Sequence, residues 1–170
     1  MCSNIRVMAT AGISTVVEPA RFIDGRGPAA DAGSHTEERD VSSSGWVLDV
    51  GALGAFAEGV VYAECVLTLA RERGHTLLVP MPAVLAAYER RPADVAGPRL
   101  ARLLADPVVV AADYATGALP EHLDRLIDRA RGDRVAALVV HLAQTRGWPV
   151  LTDRGDVLVR LWPGLLIVPA

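Results

Sequence analysis

No lysine occurs anywhere in the 170 residues; all seventeen basic residues are arginine. That skew reads as the codon bias of a GC-rich, bacterial genome and by itself says little about partners. Excess positive charge is missing too. The formal net charge is −3, without the basic footprint of a domain that holds nucleic acid by charge alone, so any nucleic acid must be met by local arginines or through a metal. Cys2 and Cys65 are the only cysteines, and nothing in their spacing suggests a disulfide framework or a zinc site, which points to a reducing cytoplasm. No apolar run reaches the roughly 18 residues needed to span a bilayer, and the N-terminus lacks a charged region followed by a continuous apolar stretch. Neither secretion nor membrane insertion is expected.

What the chain does have is 51% hydrophobic residues, with aromatics at only 5%. Alanine, valine and leucine dominate, a composition that suits helices packed on a buried sheet, and the length suits one core. Residues 1–43 mix Gly, Ser, Ala, Asp and Glu around short apolar clusters and are expected to form a disordered tail, leaving residues 44–170 as the domain. An alternative expectation is that translation starts at Val41 from a GTG codon, which the mass of the native N-terminus would reveal.

Within the domain, Trp46 to Val50 is a short apolar run and reads as a buried parallel strand ending at Asp49. Helical spacing follows over 52–58 and 60–73, with Gly74 as C-cap, then a strand over 76–79 and a helix over 83–90 opened by Pro82. Residues 91–97 read as a loop, 99–104 as a short helix and 107–111 as a third strand. Helices are expected over 120–131 and 133–146, the second closed by Gly147, then a strand over 148–151, a helix over 156–161 and a strand over 165–168. Strands alternating with helices in this way predict a mainly parallel sheet covered on both faces, with ligands bound beyond the carboxyl ends of its strands.

Three acids stand where that architecture converges: Asp49 after the first strand, Asp133 at the start of a long helix, and Asp153 after the fourth strand, with Asp156 three residues on. Converging carboxylates repel unless a cation or a shared proton neutralises them, and Mg²⁺ or Mn²⁺ prefers such hard oxygen donors. Asp133 and Asp156 are equally good helix caps, whereas Asp49, at the end of an apolar strand, has the poorest structural reason to be there. His141 reads as a partly buried structural histidine, His75 as a turn residue, and Trp148 and Trp162 as packing residues. A flavodoxin-like or receiver-like domain also carries acids at strand ends, but it needs a phosphate-binding loop or a lysine, and this chain has no lysine.

From Trp46 to Val168 the sequence resembles the PIN domain family, in particular the VapC-like toxins of bacterial toxin-antitoxin modules. The resemblance lies in Val47-Leu48-Asp49-Val50-Gly51-Ala52-Leu53, in Leu77 to Ala86, and most specifically in Asp133 to Leu158, centred on Arg146-Gly147-Trp148-Pro149-Val150-Leu151-Thr152-Asp153. It implies a PIN-like three-layer α/β domain with a five-stranded, mainly parallel sheet flanked by helices. The activity implied is that of a Mg²⁺- or Mn²⁺-dependent endoribonuclease, often a homodimer, paired with a small antitoxin whose basic tail could enter the acidic groove. On this resemblance Asp49, Asp133 and Asp153 are catalytic and metal-binding, Asp156 is a further metal ligand, and Thr152 supports the site. The family's helix-borne glutamate falls at Ala87, and Glu89, two residues on, lies about 200° around a helix from it. A carboxylate is therefore missing, and the alternative reading is a weakened or inactive PIN-like domain that binds a protein or RNA.

Overall fold

The computed structural model describes residues 44–113 and 121–170; the expected tail and the alternative start at Val41 lie outside the described residues. Five strands, β1 (Gly45–Leu48), β2 (Thr76–Pro80), β3 (Val109–Ala112), β4 (Val150–Thr152) and β5 (Ile167–Pro169), form one sheet in the order β3-β2-β1-β4-β5. Every pairing in it is parallel. Seven described helices flank it: α1 (Val50–Glu58), α2 (Val61–Arg73), α3 (Met81–Glu89), α4 (Ala93–Leu104), α5 (Glu121–Arg129), α6 (Arg134–Arg146) and α7 (Gly155–Leu161). This is the three-layer α/β architecture that the alternation of apolar runs predicts.

Side chains alternate across a strand, so a sheet covered on both faces needs apolar residues at every position. Leu48, Leu77, Val79 and Leu151 belong to one buried cluster, with α1 to α4, while Val47, Leu78 and Val150 belong to a second, with α5, α6 and α7. The uninterrupted apolar runs in β1, β2 and β4 are thus explained by two cores rather than one. Gly45 shows how tightly the strands are packed: a Cβ there would collide with the Thr76 carbonyl oxygen and the Trp148 ring.

From β1 the chain steps outward through β2 to β3, then returns to the other side of β1 for β4 and β5. The strand order therefore reverses between β1 and β4, the place where open parallel sheets leave a crevice at their carboxyl ends. Asp49 follows one of those strands and Thr152 ends the other.

One expectation is corrected. Helix α4 begins at Ala93, not Arg99, and runs through Pro98. Gly97 and Pro98 look like breakers, but Ala96, Leu100 and Leu103 are buried along one face, and that apolar stripe outweighs the single hydrogen bond that proline removes. Among the described residues no single helix is long and apolar enough to cross a membrane. Helices α1 and α2 pass that test only together, bent by 105°.

Candidate functional site

Where β1 ends, Asp49 turns the chain into α1 with extended backbone (φ −89°, ψ 174°). An acid at a helix N-cap ordinarily accepts from the helix's own first N–H groups, but Asp49 makes no such bond. Its carboxylate instead crosses the crevice to β4, where Thr152 Oγ1 donates to Oδ2 at 2.8 Å. Asp49 has no exposed surface, and Thr152 is buried beside it. The turn after β4 is fixed by the same hydroxyl, which accepts from the Arg154 backbone N–H at 2.9 Å. Residues 153 and 154 lie beyond the end of β4, and this bond helps bring Arg154 back toward Asp49.

Arg154 completes the site. Its Nε donates to Asp49 Oδ2 at 3.0 Å and its Nη2 to Asp49 Oδ1 at 2.9 Å, a two-pronged pair, while Nη1 reaches Asp133 Oδ2 at 3.2 Å. The planar guanidinium matches a carboxylate edge in a way an ammonium could not. The hydrogen bond to Asp49, and the charges of Asp49 and Asp133, hold the arginine's pKa above its ordinary value despite partial burial. A carboxylate with no exposed surface is costly unless a cation meets it. Here that cation belongs to the chain itself.

Asp133 serves two roles at once. It is the N-cap of α6, where Oδ1 accepts from the Ala136 N–H at 2.9 Å, and its other oxygen takes Arg154. Asp153, by contrast, is exposed and lies against Gly51 in the first turn of α1, where any Cβ would strike its carboxylate. Asp156 is exposed on α7 and pairs with Arg160 one turn on, at 3.1 Å. Ala87 is fully buried in α3, in the same core cluster as Leu53 and Val84, and Glu89 is exposed. Of the acids singled out from the sequence, the structure joins Asp49 and Asp133 through Arg154, and places Asp153 and Asp156 outside that pair.

Fit to a divalent cation follows from these contacts. Mg²⁺ or Mn²⁺ needs carboxylate oxygens turned to a common point that no other cation holds. Here the Arg154 guanidinium holds that point, bonded to both Asp49 oxygens and to Asp133 Oδ2. As arranged, these residues do not fit the ion. Of the five N–H donors of a guanidinium, Arg154 uses three in the bonds above, and its side chain keeps 21% of its surface exposed. The remaining two can meet an anion from solvent.

His141 is buried within α6, and its Nδ1 lies 2.6 Å from Nε2 of His122 on α5. Burial first, and His122 second, push it below the ordinary imidazole value of 6.5. The folded state thus favours the neutral ring, so its contribution is complete above the unfolded value and is lost as pH falls through the lower folded value. A His141→Gln variant is expected to lose less stability than the parent as pH drops from about 7 to about 5 in denaturant titrations.

Arg154 was not among the residues that the sequence singled out, and because it lies in the turn beyond β4 no strand periodicity assigns its face. No protein-family model matches the chain, and no curated protein matches it.

Proposed function

We propose that this chain is a PIN-like domain, akin to the VapC-like toxins, that binds single-stranded RNA at the carboxyl end of its sheet without cutting it by metal-activated water. The observation that carries this reading is the two-pronged contact of Arg154 with the buried Asp49. The guanidinium supplies the positive charge that the converging acids require, and Ala87 adds no carboxylate to bring a divalent ion in its place. Two donors of the same guanidinium remain for a backbone phosphate. RNA is favoured over a basic protein tail because Arg154 already takes both oxygens of Asp49 and one of Asp133, the contacts such a tail would make.

The test uses labelled single-stranded RNA with the full chain, in Mg²⁺, in Mn²⁺ and in EDTA. Expected is binding that survives EDTA, with no cleavage that EDTA removes. Cleavage that requires Mg²⁺ or Mn²⁺ and stops on Asp49→Asn would instead establish the ribonuclease in which Asp49, Asp133 and Asp153 hold the ion.

A further inference from the structure

Beside Asp133 the surface opens into a recess of about 410 Å³. One wall is the end of α5 and its connection to α6, with Arg129, Arg131 and Asp133; the other is α7, with Val157 and Arg160. Three arginines and one carboxylate thus line a single hollow in a chain whose net charge is −3. The carboxylate is already divided between Arg154 and the Ala136 N–H. Arg160 is held by Asp156, whereas Arg129 and Arg131 make no ion pair among the described residues.

The connection that carries Arg131 is fixed rather than loose. Arg131 sits at φ 55° and Gly132 at φ 86°, and their N–H groups donate to Asp128 and Ile127 carbonyl oxygens, each at 3.0 Å. A left-handed backbone disfavours a side-chain-bearing residue by roughly 1–2 kcal/mol, and such conformations concentrate where a ligand is gripped. Asp133 is also the partition between this recess and Arg154. From the sheet outward, charges therefore alternate: Asp49, Arg154, Asp133, then the arginine-lined hollow.

We infer that the recess takes a phosphate group of bound nucleic acid, the phosphodiester next along the strand from the one that meets Arg154. Guanidinium forks match phosphate oxygens in pairs. The volume lies within the roughly 300–1,000 Å³ of ligand clefts, which is room for a nucleotide rather than a bare ion. The inference rests on the RNA binding proposed above and adds the element that grips the strand.

The experiment is fluorescence anisotropy of labelled single-stranded RNA over a salt series with the full chain, the exposed double variant Arg129→Ala/Arg131→Ala, and the remote control Arg73→Ala/Arg102→Ala. Parallel calorimetry uses inorganic phosphate and a nucleoside 5′-monophosphate. Expected is a loss of about tenfold or more in RNA affinity for the recess variant, with a salt dependence shallower by about one to two phosphate contacts, and parent-like binding by the control. RNA bound equally by parent and recess variant would overturn the inference and leave the RNA reading standing; no RNA binding by the parent would overturn both. Phosphate or mononucleotide binding without RNA binding would assign the recess to a small free anion, and would also overturn the inference.

Discussion

Arg154→Gln is expected to destabilise the domain in EDTA by about 3–5 kcal/mol, the cost of removing one partner from a buried ion pair. For a domain of this size that is a fall of about 10–20 °C in Tm. The cause is Asp49, which has no exposed surface and would keep only the Thr152 hydroxyl. A buried carboxylate without a cation beside it is costly. A second consequence separates this site from an ordinary structural pair. With the guanidinium gone, Asp49 and Asp133 face each other across the space it filled, so Mn²⁺ should restore part of the loss, by about 2.7 kcal/mol at a hundred times its Kd. The parent should gain nothing from the ion at the same concentration. Thermal melts of both proteins with Mn²⁺ and with EDTA make the comparison, and equal responses to Mn²⁺ would remove Arg154 from the role assigned to it.

Ala87→Glu is the second large effect. The resemblance makes this the substitution that restores a lost carboxylate, but Ala87 has no exposed surface and shares a core cluster with Leu53 and Val84. A glutamate there adds volume to a filled region and buries a charge, for an expected loss of about 3–5 kcal/mol in urea unfolding and no gain in RNA cleavage. A variant as stable as the parent that cuts RNA with Mn²⁺ would show that this face of α3 opens onto the acids, and that the missing glutamate alone had silenced the site.

Much of the fold was legible because the sheet needs two cores. Continuous apolar runs such as Val47-Leu48 and Leu77-Leu78-Val79 are what a strand covered on both faces must carry, and Gly74 and Gly147, both left-handed in the structure, mark where α2 and α6 stop. Helix α4 was less legible because local punctuation at Gly97 and Pro98 opposed a buried stripe that only tertiary packing reveals.

The site was legible at Asp49 for a physical reason: an acid closing an apolar strand has to be neutralised by something. What neutralises it is not legible in the sequence, where an arginine beside Asp153 reads as an ordinary turn residue. Arg154 and Asp153 both lie in the turn beyond β4, where strand alternation no longer assigns a face, and the bond from the Arg154 N–H to the Thr152 hydroxyl helps set the geometry instead. Asp133 carried two readings, cap and site residue, and the structure shows one carboxylate making both sets of contacts, one oxygen for each.

The most direct test of Arg154 as the resident cation is a calorimetric titration of the unmodified chain with Mn²⁺, repeated on Asp49→Asn and Arg154→Gln. The predicted result is no stoichiometric binding by the parent or by Asp49→Asn, and a site that appears in Arg154→Gln. Stoichiometric Mn²⁺ binding by the parent that Asp49→Asn abolishes would contradict it.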